Sequence, residues 1–282
     1  MAMAQAQAQA QPKPRIIFFS YGSNHWRPSM ENLCDDAIKY KLFDEVLRFC
    51  DEDLEQDPEF WPRHQEFIKA NKRGGGYWLW KSYLTQKILK TIREDDILVY
   101  MDAGCALWPH PEARKRLNEY LATVRSHPAG FYGFSTEYPN SYYTKEDTFL
   151  HFNSTQEDKQ KPQIMSGATI WRCCAQTIKM ATEWYETMAD NYNLIDDSPS
   201  KAPNYPDFKE NRHDQSILTM LVHKYNAAYA PTDELWDFRR NNFTRPFWAA
   251  RLRNGDRLYK YCLLYTSPSP RDRTRSRMPS SA

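Results

Sequence analysis

The sequence predicts an α/β fold in which a mostly parallel central sheet is flanked by helices. Strand and helix patterns alternate along most of the chain, which is the order expected of such a sheet. Residues 96–101 (DILVYM) place five apolar residues in succession, as in a parallel strand that is covered on both faces. Aromatic residues make up 15% of the chain, enough large apolar side chains for a substantial core. We therefore expect a single folded domain over residues 15–262.

The segments on either side of this domain are expected to be disordered. Residues 1–14 are rich in Ala and Gln and lack the apolar stretch of a signal peptide. Residues 263–282 change abruptly to Ser, Pro and Arg, a composition typical of a disordered basic tail. The tail is also similar to translated sequencing-adapter text, so a sequencing artefact is the alternative interpretation.

The charge distribution gives no indication of a nucleic-acid partner. The four Arg and one Asp of the tail contribute +3 to a total of +2, which leaves the rest of the chain near neutral at −1. No apolar run approaches the roughly 20 residues that a membrane span requires, so we expect no span. The cytoplasm is the default location, with the Golgi lumen as the alternative if the native N-terminus differs.

The first half of the domain is predicted to alternate strands and helices. Residues 15–21 (RIIFFSY) form an apolar strand followed by a Gly-Ser-Asn loop, and residues 45–50 form a second strand. A helix over residues 58–71 has Pro58 in its first turn, where proline is well tolerated. A run of three glycines then precedes a helix over residues 77–93, whose apolar side chains share one face.

The second half continues with elements of the same kinds. A helix, two strands and two further helices are predicted at residues 111–125, 130–134, 164–171, 175–192 and 214–225, respectively. Between the last two helices, residues 196–212 contain three prolines and no apolar period. We interpret this segment as a long surface loop, and loops of that length often carry function.

The glycine-rich segment GGYWLWKS comes close to a phosphate-binding P-loop but does not match it. Trp80 stands where the motif G-x-x-x-x-G-K-[ST] requires its second glycine, and an indole there blocks the backbone from wrapping around phosphates. A P-loop ATPase is therefore not expected. Two interpretations stay open: an anion site at a helix N-terminus with charge from Arg73 and Lys81, or a structural helix start with Lys81 in solvent.

Asp102 follows the apolar strand and is a candidate ligand-binding residue. In open α/β sheets, ligands bind beyond the carboxyl ends of the strands. A carboxylate at this position can hold a divalent metal that neutralises a leaving diphosphate, or it can cap the next turn. The segment DAGC contains one carboxylate, so its spacing alone does not decide between these roles.

The triplet His213-Asp214-Gln215 opens the last predicted helix and allows two interpretations. As a structural feature, Asp214 in the first turn complements the helix dipole. As a chemical feature, the triplet offers a carboxylate and an amide to sugar hydroxyls. Its local pattern supports both interpretations equally.

Taken in order, seven segments resemble nucleotide-sugar-dependent glycosyltransferases of the GT-A fold (nucleotide-diphospho-sugar transferases). The matching segments are RIIFFSYG, GGGYWLWKSY, DDILVYMDAGC, YYTKEDTF, QIMSGATIWR, DDSPS and NRHDQSIL, within residues 15–237. The resemblance implies a GT-A-like domain that transfers a sugar from a nucleoside diphosphate donor to a hydroxyl of a glycan or glycoconjugate. A hexosyltransferase is the expected type.

The resemblance also implies which residues form the site. The donor-binding residues are Phe19, Ser20, Tyr21, Gly22, Arg73, Tyr77, Lys81, Asp102, Gly104, Ser166 and Gly167. The catalytic residues are Asp214, Gln215 and His213, with the Asp214 carboxylate facing the transferred sugar. Asp102 takes the first position of the family's D-x-D motif and would ligate Mn²⁺ or Mg²⁺. Gly104 stands where the second Asp is usual, so metal dependence stays open.

Two other function classes are compatible with the sequence. One is a non-catalytic relative that keeps the fold and binds a nucleotide sugar or carbohydrate without turnover. The other is a phosphatase or nuclease, although such enzymes need a second carboxylate or a histidine pair near Asp102, which the local sequence lacks.

Overall fold

The computed structural model describes residues 13–230, 234–236 and 244–257, which form an α/β domain around a six-stranded sheet. The strands are β1 (Ile16–Tyr21), β2 (Glu45–Phe49), β3 (Ile97–Met101), β4 (Ala106–Leu107), β5 (Phe131–Pro139), β6 (Pro162–Arg172), β7 (Ala228–Ala230) and β8 (Phe247–Trp248). The helices are α1 (Arg27–Lys39), α2 (Asp51–Glu55), α3 (Trp61–Ala70), α4 (Gly74–Tyr77), α5 (Leu79–Thr91), α6 (Pro111–Ser126), α7 (Glu146–His151), α8 (Gln156–Gln160), α9 (Ala175–Asp190), α10 (Tyr192–Ile195) and α11 (Asp214–Lys224).

The sheet has the order β2-β1-β3-β6-β5-β7, and the prediction of a mostly parallel sheet is confirmed. Only β6 runs against its neighbours β3 and β5 among these six strands, while the remaining pairs are parallel. A separate antiparallel pair, β4 with β8, follows the end of β3. Because β6 is antiparallel, its second half pairs with β3 as far as the Met101–Ala168 pair, and its first half extends beyond the carboxyl end of β3.

Side chains cover both faces of the sheet, as the uninterrupted apolar run of β3 predicts. Leu98 and Tyr100 pack on one face with residues of α5, α9 and α11, while Val99 and Met101 pack on the other with residues of α1 and α6. This alternation follows from the two-residue period of a strand. The helices α5 and α9 pack against each other and cover the face of the sheet that carries Leu98 and Tyr100.

Helix α1 is an element that the sequence analysis did not predict. It occupies Arg27–Lys39, directly after a short 3₁₀ turn at Asn24–Trp26. Its buried side chains Met30, Leu33, Cys34 and Ala37 have helical spacing and pack beneath β1. Charged and amide side chains interrupt the apolar pattern of this segment, so the sequence analysis did not identify the helix.

The glycine-rich segment labelled α4 is a left-handed turn and not a right-handed α-helix, so the predicted helix starts later than residue 77. All five residues from Gly74 to Trp78 have positive φ, between 52° and 84°. Glycine adopts this conformation at little cost, but Tyr77 and Trp78 each pay about 1–2 kcal/mol for it. A Cβ on Gly76 would lie 2.7 Å from Ile68 Cγ1, so this position also requires the absence of a side chain. Helix α5 begins at Leu79.

Residues 1–12 and 258–282 lie outside the described residues, so the predictions for both ends of the chain stay predictions. Among the described helices, none is both long and apolar enough to span a membrane.

Candidate functional site

The site is built at the carboxyl end of β3, where β6 and the start of α11 converge on Asp102. The Asp102 amide donates a hydrogen bond to the Gly167 carbonyl at 2.8 Å, which anchors the residue to β6. The Tyr100 hydroxyl donates to Asp102 Oδ1 at 2.5 Å. The Asp102 side chain remains 42% exposed, so its carboxylate is accessible to a ligand while its backbone is fixed. This is the edge at which open α/β sheets bind their ligands.

Lys81 is buried between the two candidate carboxylates and is not solvated. Its ammonium nitrogen lies 3.0 Å from Asp102 Oδ1 and 3.1 Å from Asp214 Oδ2. The same nitrogen lies 3.3 Å from Ser166 Oγ. Lys81 is only 1% exposed because α5 is covered along nearly its whole circumference. We call Asp102, Lys81 and Asp214 the carboxylate–ammonium cluster.

The Lys81 ammonium stabilises both carboxylates of the cluster, although the two carboxylates repel each other. Burial alone lowers the pKa of Lys81, but the carboxylates of Asp102 and Asp214 outweigh it and hold that pKa above its ordinary value. Burial raises the pKa of Asp214, and the Lys81 ammonium opposes that rise. Burial, together with Asp102, raises the pKa of Tyr100, so its phenol stays protonated and donates to the carboxylate. One cation thus serves two anions at the sheet edge.

The start of α11 holds two buried nitrogen atoms that lack hydrogen-bond partners among the described residues. These are His213 Nε2 and Gln215 Nε2. The other ring nitrogen of His213 lies 2.6 Å from the Ile195 carbonyl, and Gln215 Oε1 accepts a hydrogen bond from the Ser166 amide at 3.4 Å. Buried polar groups are almost always paired, and an exception indicates a position where water or a ligand binds. Both unpaired atoms flank Asp214 in the sequence.

The backbone of His213 is strained, with φ 54° and ψ −119°, outside the regions that L-residues commonly occupy. Its ring is held between Tyr77, at a centroid distance of 4.9 Å, and Trp78, at 5.3 Å. The left-handed turn therefore supplies the two rings that fix His213. Strain of this kind concentrates at functional sites, where the surrounding contacts maintain it.

The long loop predicted over residues 196–212 reaches the site through Asp197. Its carboxylate accepts from Arg73 Nη1 at 2.9 Å and from the Tyr77 hydroxyl at 3.0 Å. Both partners of the Arg73–Asp197 pair are about half exposed, so the pair itself contributes little stability. Arg73 is thus close to the His213 ring but engaged by a carboxylate in this structure.

Four of the predicted donor-binding residues lie at the end of β1 and directly after it, and they mostly face the interior. Phe19 and Ser20 have no exposed surface, and the Ser20 hydroxyl donates to the Met101 carbonyl at 2.8 Å. Tyr21 stacks on Trp80 with a centroid distance of 3.9 Å. A Cβ on Gly22 would lie 2.6 Å from Met30 Cβ. In this structure these four residues are packed behind the site and do not line its surface.

Gly104 cannot be exchanged for the second carboxylate of a D-x-D motif without rearrangement. A Cβ at this position would lie 2.9 Å from Trp26 Cζ3 and 3.4 Å from both Arg251 Cα and the Leu252 carbonyl oxygen. The Leu252 amide also donates to the Gly104 carbonyl at 2.8 Å, which holds the later segment against the strand end. A second Asp at this position would therefore require the Trp26 ring to shift.

The residues present do not fit a divalent metal ion. Asp102 Oδ1 is already engaged by Lys81 and Tyr100, and Asp214 Oδ2 by Lys81. Mg²⁺ and Mn²⁺ prefer several oxygen ligands, but no group of three or more His, Cys, Asp or Glu side chains suited to a metal occurs in the described part of the chain. The ammonium occupies the position between the carboxylates.

Gly167→Ala is expected to lower donor turnover by about tenfold with little loss of stability. A Cβ on Gly167 would lie 2.9 Å from Asp102 Oδ2, so the carboxylate must move, whereas no backbone atom stands in its way. Kinetics with the donor identified for the wild type, beside a thermal melt, measures both effects. Unchanged kcat and KM in the folded variant would show that the position of the Asp102 carboxylate is not used.

Two residues of the site were missed by the sequence analysis. Tyr100 lies two positions before Asp102 and therefore on the same side of the strand, a signal that the two-residue period carries. Asp197 lies within the segment DDSPS, which the resemblance had marked without assigning it a role. Its contact with Tyr77 and Arg73 spans more than 100 residues of sequence.

No protein-family model matches the sequence, and no curated protein matches it significantly. Among solved structures, the chain is similar to a glycosyltransferase involved in glycosylation of the major capsid of PBCV-1, with a TM-score of 0.43 and 10% identity over 83% of this chain and 94% of the other. It is also similar to mouse xyloside xylosyltransferase 1, with a TM-score of 0.42 and 12% identity over 80% of this chain and 90% of the other. A third similar structure is the galactosyltransferase LgtC in complex with donor and acceptor sugar analogs, with a TM-score of 0.41 and 12% identity over 92% of this chain and 99% of the other. All three are described as glycosyltransferases.

Proposed function

We propose that this protein is a glycosyltransferase that moves a sugar, of hexosyl type, from a nucleoside diphosphate to a hydroxyl of a glycan or glycoconjugate. The observation that carries the proposal is the carboxylate–ammonium cluster at the carboxyl end of β3. Glycosyl transfer passes through a cationic, oxocarbenium-like sugar and releases an anionic diphosphate. A site for this reaction therefore needs negative charge near the sugar and positive charge near the leaving group.

The positive charge comes from Lys81 and Arg73. Lys81 is held rigidly by its two carboxylates and by Ser166, so its charge is in place before the diphosphate departs. Arg73 is half exposed and its exposed pair with Asp197 is weak, which leaves the guanidinium able to exchange that carboxylate for a phosphate. Together they replace the proton that a glycoside leaving group would need.

The negative charge and the sugar contacts come from the strand end and the start of α11. The accessible carboxylate of Asp102 accepts a hydroxyl of the donor. Gly167 allows this carboxylate its position, because a Cβ there would lie 2.9 Å from Asp102 Oδ2. Asp214 is 3% exposed, so it acts mainly by holding Lys81 and by its charge behind the sugar. The unpaired nitrogen atoms of Gln215 and His213 bind sugar hydroxyls.

A non-catalytic nucleotide-sugar or carbohydrate-binding protein is the second candidate function. The observation that favours it is the net charge of the cluster. Two carboxylates pair with the single ammonium of Lys81, which leaves the cluster with a net negative charge. Such a site attracts a diphosphate less strongly than a free ammonium does. The same fold would then retain the sugar contacts without accelerating bond cleavage.

A panel of UDP- and GDP-sugars, tested by calorimetry and by donor hydrolysis, distinguishes the two functions. We expect at least one donor to bind and to be hydrolysed slowly in the absence of an acceptor. Heat of binding without turnover, also in the presence of candidate acceptors, would favour the binding protein. Neither heat nor hydrolysis with any donor would overturn the proposed function.

A further inference from the structure

We propose that the Lys81 ammonium takes the place of the divalent cation in this site, so that donor binding and sugar transfer proceed without Mn²⁺ or Mg²⁺. The inference deepens the proposed function and rests on it for the role of the donor. What it claims about cations concerns the protein alone and is testable without turnover. It is carried by the position of one buried side chain and by the space around it.

The ammonium lies where a bridging cation would lie. It is within 3.1 Å of one oxygen of each carboxylate, Asp102 and Asp214, which reach it from a strand end and a helix start. It also donates hydrogen bonds to the Ser166 hydroxyl at 3.3 Å and to the Ser166 carbonyl at 3.4 Å. Two ion pairs and the Ser166 contacts thus hold the ammonium, and the side chain is only 1% exposed.

Aromatic rings close the remaining sides of the ammonium. The Lys81 nitrogen lies 5.2 Å from the centroid of the Tyr100 ring and 5.9 Å from that of Trp80. Ring faces attract a cation and at the same time exclude water from it. Hence the position favours a positive charge of fixed location.

The positions next to Asp102 provide few further ligands for a metal ion. The D-x-D pattern is reduced to one carboxylate, and the volume beside Gly104 is filled by Trp26 and by the backbone of Arg251 and Leu252. A dication placed on the open side of Asp102 would have the Lys81 ammonium as its nearest positive charge, and like charges repel in a partly buried site. The chain therefore supplies its own cation and excludes a second one.

Removal of the Lys81 ammonium should allow the site to bind a divalent metal ion. In Lys81→Met, the carboxylates of Asp102 and Asp214 face a common position without a cation, and carboxylate oxygens together with water are ligands that suit Mn²⁺. Lys81→Arg keeps the positive charge and is the matched control. Near-ultraviolet circular dichroism of each variant reports whether the core has formed.

The test is a titration of the metal-free protein with MnCl₂, followed by the electron paramagnetic resonance signal of free Mn²⁺. We expect the wild type and Lys81→Arg not to bind Mn²⁺ at sub-millimolar concentration, and a folded Lys81→Met to bind it at least about tenfold more tightly. Sub-millimolar binding by the wild type that is lost in Asp102→Asn would overturn the inference. This wild-type result is decisive even if Lys81→Met does not fold.

A second measurement connects the cation to the donor. Binding of UDP and of GDP to the wild type is measured by calorimetry in EDTA and in Mn²⁺, and we expect the nucleotide that binds to lose less than about tenfold in affinity in EDTA. A larger loss would overturn the inference. If neither nucleotide binds under any condition, the result counts against the proposed function, while the Mn²⁺ titration still decides which cation the site holds.

Discussion

Asp102→Ala is expected to abolish donor turnover and to leave the fold intact. The carboxylate stands at the end of β3 with 42% of its side chain exposed, so its removal leaves little buried volume empty. Its loss removes the donor contact at the sheet edge and one of the two anions that hold Lys81. Because Asp214 still faces the ammonium at 3.1 Å, the buried charge is not left without a partner.

Donor hydrolysis and thermal melting of Asp102→Ala test this expectation together. Asp190→Ala is the matched control, since it also deletes an aspartate that pairs with a basic side chain, Arg63, but on the surface of α9. We expect the control to keep wild-type turnover because exposed ion pairs contribute little. Near wild-type turnover in a folded Asp102→Ala protein would contradict the assignment of the donor site.

Asp214→Asn is expected to lower kcat about a hundredfold or more, with little change in the donor KM. The substitution keeps most of the hydrogen-bonding capacity and removes the negative charge that holds Lys81 and lies behind the sugar. That charge matters most when the sugar becomes cationic and the diphosphate departs. A loss confined to kcat is the signature of an interaction made in the transition state.

The structural alternative makes the opposite prediction for the same variant. If Asp214 only completes the start of α11, Asp214→Asn should cost about 1 kcal/mol of stability or less and leave kcat unchanged. Asp158→Asn is a matched control, because Asp158 completes the capping box of α8 with Thr155 and takes no part in the cluster. A folded Asp214→Asn protein with wild-type kcat would assign Asp214 a structural role alone.

The Tyr77–His213 contact is a feature that local sequence patterns could not predict. Three consecutive glycines indicated a break before a helix, and the helix is present, but its start moved to Leu79. The left-handed conformation of Tyr77 and Trp78 is unfavourable for isolated residues and persists because both rings pack on His213, more than 130 positions later. Local propensity contains no information about such a distant contact.

What the sequence by itself determined was the order of the elements and the edge at which the site lies. The apolar run of β3 required cover on both faces, the alternation of strands and helices required a layered α/β domain, and Asp102 at a strand end marked the ligand-binding edge. These features follow from the periods of apolar side chains, which are local in the chain. The ordered motifs added the identity of the candidate residues.

Only the tertiary structure decided how those residues are used. Lys81 fits both a solvated helix position and an anion site when α5 is considered alone, and its burial results from the packing of α9 and α11 around that helix. The ammonium meets Asp214 across more than 130 residues of sequence. A buried charge is stable only where opposite charges are brought within contact distance, and that distance is set by the packing of the whole domain.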